Sequence, residues 1–179
     1  CFYEGKGVPA DYPRAFSLFQ AVANEDYGPA FYRLGLCYLN GRGTLKSTQN
    51  AYQAFSTAYE KGVIMGKYGI GLYYLEIKQN LEEAVSIFRE IADTGRTLAL
   101  VQLGKCYIQG EGVHRDTQEA AKLFRAAAEK ENANGFYWLG RCFAEGMGVT
   151  LDMNMAIQLY RKAADSGCAS AMYRLGVCL

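Results

Sequence analysis

Histidine, proline and tryptophan are scarce in this 179-residue chain: one histidine, three prolines and one tryptophan. With His114 as the only imidazole, no Ser-His-Asp or Cys-His catalytic arrangement can be assembled, and a loop histidine beside a helix cap reads as solvated. No apolar run approaches the roughly 20 residues needed to cross a bilayer, so no membrane insertion is expected. Neither sign of charge dominates: 19 basic residues face 18 acidic ones, for a net charge of +1. That balance argues against a nucleic-acid or membrane-surface binder, which usually carries a basic excess. No Walker motif or dinucleotide fingerprint is present. The strings GKG, GRG, GEG and GMG follow helical patterns instead of strands, so they lack the context of a phosphate loop. Acidic residues are spread along helix faces and caps without a converging pair. No enzyme, cofactor or metal is expected within these residues. Start Met, signal peptide and lipidation motif are also absent, and Cys1 falls inside a repeating pattern. The chain therefore reads as a fragment of a longer protein, truncated at both ends.

What the chain has in quantity is glycine, 20 residues, and the glycines are placed. Residues 103–124, LGKCYIQGEGVHRDTQEAAKLF, recur as LGLCYLNGRGTLKSTQNAYQAF (34–55), IGLYYLEIKQNLEEAVSIF (70–88) and LGRCFAEGMGVTLDMNMAIQLY (139–160). Partial copies stand at 1–19 (CFYEGKGVPADYPRAFSLF) and 175–179 (LGVCL). Gly35, Gly71, Gly104, Gly140 and Gly176 mark the same place in successive copies. A period in the thirties signals a solenoid of stacked supersecondary units. The expected organisation is one array over 1–179, of about five units.

Each unit contains two helices. In helix A, expected over 97–109, Leu100, Leu103, Gly104 and Tyr107 fall at i, i+3, i+4 and i+7, an amphipathic stripe. Gly110 stops it, and Asp116 is a natural N-cap for helix B, with Glu119 placed to complete a capping box. Asp11, Ser47, Asn80 and Asp152 stand at or near the same cap position. A glycine inside helix A costs about 1 kcal/mol relative to Ala, so its recurrence needs a packing reason. Close approach of helix B supplies one, with Ala15, Ala51, Ala84, Ala120 and Ala156 offered in return. Phe19, Phe55, Phe88, Phe124 and Tyr160 would fill the space one turn along. The B-to-A turns carry Gly62, Gly95 and Gly167, but Asp26 and Glu131 replace glycine in two units; a left-handed backbone there implies modest strain. The unit at Ile70 lacks three residues, and EIKQN should make its A–B turn shorter and differently shaped.

The pattern A-x-x-x-L-G-x-x-Y-x-x-G-x-G-V, then D-x-x-x-A-x-x-x-[FY]-x-x-A-A, resembles the Sel1-like repeat, a relative of the tetratricopeptide repeat. Ala99, Leu103, Gly104, Tyr107, Gly110, Gly112, Val113, Asp116, Ala120, Phe124 and Ala127 all match in one unit. The resemblance implies an all-α fold, a right-handed α-solenoid of antiparallel helix pairs with helices A lining a concave face. It also implies an adaptor or scaffold that binds a protein or peptide partner of unknown identity.

By analogy with the tetratricopeptide relative, the residues two before each L-G pair face the concavity: Tyr32, Tyr68, Val101, Tyr137 and Tyr173. So do those one after its Gly (Leu36, Leu72, Lys105, Arg141 and Val177) and four after it (Leu39, Leu75, Ile108 and Ala144). The candidate partner-binding face is this aromatic ladder beside an apolar strip, with the cations Lys105 and Arg141 suited to an acidic side chain or a terminal carboxylate. Tyr at helical spacing also packs commonly against a neighbouring repeat, and both uses stay open.

Five of six cysteines (Cys1, Cys37, Cys106, Cys142 and Cys178) share one position per unit. Equivalent positions on stacked helices lie about 10 Å apart, beyond the roughly 7 Å between Cα atoms that a disulfide spans. They read as small buried hydrophobes; Cys168, at a helix start, is the candidate for exposure. Unpaired cysteines favour a reducing, cytoplasmic setting. Two other functions remain beside the interaction module: a structural spacer or self-associating segment, and a regulatory repeat region attached to an enzyme elsewhere in a longer chain.

Overall fold

A computed structural model describes Tyr3 and residues 9–178, except for the side chain of Cys178. The expected positions of Cys1 and of the Cys178 thiol lie outside the described residues. Among the described residues there are ten α-helices and no strand. The B helices are α1 (Tyr12–Asn24), α3 (Thr48–Glu60), α5 (Leu81–Asp93), α7 (Thr117–Glu129) and α9 (Met153–Asp165). The A helices are α2 (Gly28–Asn40), α4 (Ile64–Ile77), α6 (Thr97–Gln109), α8 (Ala133–Glu145) and α10 (Ala169–Cys178). The chain forms two compact units, residues 1–84 and 85–179. In the first, α1 to α4 pack in sequence order and α2 also touches α4; in the second, α6 to α10 do the same and α6 also touches α8. Each unit is thus a stack of antiparallel pairs in which A helices meet, α2 with α4 and α6 with α8.

The helix starts follow the expected caps. Asp11 accepts from Arg14 N–H at 3.0 Å, Ser47 from Asn50 N–H at 3.2 Å, and Asp152 from Met155 N–H at 2.9 Å. Asp116 accepts from both Gln118 and Glu119 N–H, at 3.0 and 2.9 Å. The capping box differs from expectation. Glu119 does not reach back to the Asp116 N–H; it pairs with Lys122 at 2.9 Å. The reason lies in the loop: Asp116 N–H already donates to the Tyr107 carbonyl at 3.0 Å, as Ser47 does to Tyr38 and Asp152 to Phe143. The cap residue therefore ties the start of helix B to the last turns of helix A.

Gly35, Gly104 and Gly140 meet rings instead of the expected alanines. A Cβ on Gly35 would lie 2.3 Å from Phe55 Cε1, one on Gly104 2.5 Å from Phe124 Cε1, and one on Gly140 2.9 Å from the Tyr160 ring. The alanines are buried as well, with Ala51, Ala84, Ala120 and Ala156 all at 0% exposure, but the notch left by each glycine is filled by the aromatic ring itself. Such contacts account for the helix-breaking residue in mid-helix, since a flat ring against bare backbone brings two helices closer than any side chain would allow.

The turns are left-handed where glycine is expected and also where it is missing. Gly62, Gly95 and Gly167 have φ of 78°, 78° and 83°, while Asp26 and Glu131 have φ of 64° and 57° at the same place. The loops after α2, α6 and α8 carry two left-handed glycines each, such as Gly41 and Gly43 or Gly146 and Gly148. The turn between α4 and α5 is shorter, as expected, yet it keeps the same alternation on Lys78 and Asn80, with φ of 53° and 51°. Asn80 therefore departs from the extended N-cap backbone of Ser47, Asp116 and Asp152.

Candidate functional site

The side chains that converge on the A-helix side of residues 85–179 centre on Trp138. Its position, one before the L-G pair of α8, is held by Arg33, Gly69, Gln102 and Arg174 in the other copies. The indole stacks on Phe124 of α7 with centroids 5.5 Å apart and planes 20° apart. That contact uses the ring that also fills the Gly104 notch. Tyr137 meets the indole edge-on at 5.6 Å. Two cations approach the same indole: the Arg141 guanidinium carbon lies 4.8 Å from its centroid and Lys105 Nζ 6.0 Å.

The two cations differ in their partners. Arg141 donates through Nε and Nη2 to the two carboxylate oxygens of Glu145, at 2.9 and 3.0 Å. That hydrogen-bonded pairing, foremost, raises its already high pKa. Lys105 donates to the neutral Gln102 Oε1 at 3.1 Å. Burial lowers the pKa of its ammonium, against smaller opposing contributions from Cys106 and Glu111. Beyond Tyr137, an open hollow of ≈ 450 Å³ is lined by Tyr137, Ala169, Ser170, Tyr173 and Arg174. The site is thus an aromatic floor with one neutralised and one unneutralised cation, an arrangement suited to recognition. It lacks a general acid–base pair.

The fourteen residues expected on the concave face separate by burial, with Ala144 half-buried and Val177 exposed. Lys105, Ile108, Tyr137 and Arg141 are half-buried on α6 and α8, as are Tyr32, Leu36 and Leu72 on α2 and α4. Leu39, Tyr68, Leu75 and Val101 are buried, at 7–9% exposure, and present little surface to a partner. Tyr173 is open, at 72%. The tyrosines two before L-G pack on helix B of their own pair: Tyr32 lies 5.9 Å from Phe55 and Tyr137 6.0 Å from Tyr160. Burial pushes the Tyr32 phenol up to about 12. Trp138 was not among the expected residues. Its signal was compositional, the chain's single tryptophan at a position that is otherwise polar or glycine.

Cys37, Cys106 and Cys142 are fully buried, Cys168 is half-buried, and no disulfide joins them. Burial pushes the Cys37 and Cys142 thiols up to about 11, so they are protonated packing groups at neutral pH. His114 is exposed in its loop, with Nδ1 3.1 Å from the Arg115 carbonyl oxygen. Among the described residues no group of three or more His, Cys, Asp or Glu is placed to hold a metal. No helix among them is long and apolar enough to cross a membrane.

Comparison with known proteins follows the repeat geometry. A family model described as Sel1 repeat matches residues 1–27, 29–63, 97–132, 137–168 and 169–179. The longest stretch between its matches, 64–96, holds α4, α5 and their shortened turn. DAP3-binding cell death enhancer 1 of Mus musculus is 32% identical over 99 residues, covering 52% of this chain and 19% of the mouse protein. The Rattus norvegicus protein of that name is 32% identical over 145 residues, covering 59% and 28%. The chain therefore spans well under a third of the length of the curated relatives it matches. Among solved structures, a Sel1 repeat protein from Oxalobacter formigenes superposes with a TM-score of 0.74 at 27% identity, covering 97% of this chain and 70% of that one. A protective antigen with an SLR fold from uropathogenic Escherichia coli gives 0.66 at 28% identity, covering 99% and 39%.

Proposed function

Because the chain belongs to the Sel1 repeat family, we propose that it is a protein–protein interaction module, part of a scaffold or adaptor. It takes a peptide or protein domain on the concave A-helix side of its repeats. The observation that carries this reading is the Trp138 cluster: a half-buried indole, with Lys105 and Arg141 approaching it, beside an open hollow. Half-buried aromatics and arginine near a recess are the side chains that dominate protein interfaces. The mouse and rat relatives are named for binding another protein, which agrees with a partner of that kind.

The test is affinity capture from the native cell with the wild-type chain and a Lys105→Glu/Arg141→Glu variant. The expected result is loss of the captured partner with unchanged far-UV circular dichroism. An identical set of captured proteins removes this face from the binding site. Tyr68 is a poor choice for such a variant, because at 7% exposure its replacement would report on packing instead of contact.

A second reading, self-association or a structural spacer, has its own observation. α10 carries exposed apolar side chains: Met172, Tyr173 and Val177 are 51%, 72% and 63% exposed. Sedimentation velocity over a range of concentrations separates the readings: association with no captured partner favours the spacer. A regulatory role beside an enzyme in a longer chain is tested by the activity of that longer chain with and without these repeats.

A further inference from the structure

We infer that Lys105 is the anchor for a glutamate or aspartate side chain of an extended partner peptide laid over α6 and α8, with Trp138 as its platform. This rests on the interaction-face reading above and gives that face its chemistry. Four other cations of the chain pair with carboxylates, while Arg42, Arg89 and Lys162, which meet neutral groups, are exposed. Lys46 pairs with Glu76, Lys61 with Asp26, Lys122 with Glu119, and Arg141 with Glu145 through both oxygens. Lys105 is instead held by a neutral amide oxygen and an indole. It is half-buried, and burial lowers its pKa more than Glu111 raises it, so the ammonium has lost water that no carboxylate fully replaces. An uncompensated, partly desolvated charge is costly for a fold to keep. A carboxylate arriving there makes a charge-assisted hydrogen bond of the strong kind, at a site where the cation's desolvation has already been met.

The same features choose among anions. Arg141 is already paired with Glu145, which also stands 4.0 Å from Arg174, so Lys105 is the cation of the platform held by neutral groups. That suits a single carboxylate; a nucleic-acid backbone is bound by a row of cations. The ammonium is recessed, and a Glu or Asp side chain reaches it while its own backbone stays above the apolar strip. A terminal carboxylate would have to bring the backbone down with it. The neighbouring residue of the peptide would then lie toward Tyr137 and the hollow lined by Tyr173 and Arg174.

Trp138, the only tryptophan, reports occupancy directly. The probe is a random peptide library displayed on phage at the amino end of the coat protein, so that no displayed peptide has a free carboxyl terminus. Selected peptides should share an acidic residue at one fixed position. Resynthesised with both ends blocked, they should change Trp138 emission, and replacing that acid by its amide should weaken binding roughly tenfold to a hundredfold. Selection on Lys105→Gln should lose the acidic preference with a melting temperature no lower than that of the wild type, and selection on Lys105→Glu should turn it basic. Peptides that bind with no acidic preference, or with one indifferent to Lys105→Gln, overturn the anchor and leave the interaction face standing. Failure to enrich any peptide that perturbs Trp138 overturns both. Oligothymidylate binding with the same dependence on Lys105 overturns the anchor in favour of a phosphate backbone.

Discussion

At the scale of single residues, one turn position exposes a conflict between side chain and backbone. Glu131 holds φ of 57° where Gly62, Gly95 and Gly167 hold 78–83°. A left-handed backbone costs a residue with a Cβ about 1–2 kcal/mol, and glycine returns part of that through its freer unfolded chain. Glu131→Gly should therefore stabilise the fold by about 0.5–1 kcal/mol, read as a higher urea midpoint at constant slope. Asp26→Gly at the equivalent turn should gain less or nothing, because Asp26 also pairs with Lys61. An unchanged or lower midpoint for Glu131→Gly would mean that the turn carries no such strain. The left-handed geometry itself was readable from the glycines at the equivalent positions. What no single repeat disclosed was that Lys78 and Asn80 would reproduce it in a turn that has lost its glycines, since neither residue type demands φ above zero.

At the scale of the helix pair, the recurring glycines do different work according to what lies against them. Gly104 is closed by Phe124, whereas Gly176 occupies the same repeat position with open space around it. Gly104→Ala forces a methyl into a ring edge 2.5 Å away and should cost about 1–3 kcal/mol, as overpacking does. Gly176→Ala meets nothing and should raise helix stability by as much as about 1 kcal/mol. An A–B loop and a B–A turn give a second contrast. A Cβ on Gly148 would sit 2.0 Å from the Thr117 carbonyl oxygen, at φ of 71°, while Gly167, at φ of 83°, has nothing within 4 Å. Gly148→Ala should be among the most damaging single substitutions and Gly167→Ala should cost about 1–2 kcal/mol, the backbone term alone. Chemical denaturation of the four variants tests the order, and a Gly176→Ala protein less stable than Gly104→Ala would refute it. The pairing was legible because each helix repeats its apolar stripe and cap every unit. The partner of each glycine was not: alanine and aromatic lie on the same face of helix B, and only packing decides that Phe55, Phe124 and Tyr160 enter the notch. Trp138 is hidden from a repeat pattern for a related reason. It occupies a repeat position that elsewhere holds Arg, Gly or Gln, so no recurring pattern marked it.

At the scale of the whole molecule, the periodic cysteines link repeat packing to alkaline stability. Cys37 lies in the unit of residues 1–84 and Cys142 in that of residues 85–179, and both are at 0% exposure. Burial raises each thiol from 9.0 to about 11. In the unfolded chain the thiols lose their protons first as pH rises, so between those values the unfolded state binds fewer protons than the folded one. Stability is then fully present below about pH 9 and declines as pH climbs toward about 11, by at most about 1.4 kcal/mol per pH unit for each thiol. Tyr32, raised to about 12 by the same cause, continues the decline for the first unit. Melting temperature should accordingly hold level from neutral pH to about 8 and fall beyond 9. Cys37→Ala/Cys142→Ala should flatten that fall between pH 9 and 11 even though its melting temperature at neutral pH is lower. A wild-type profile flat to pH 11, or a double variant with an undiminished slope, would show that the buried thiols do not titrate against folding. Their one-per-unit spacing would then serve packing alone.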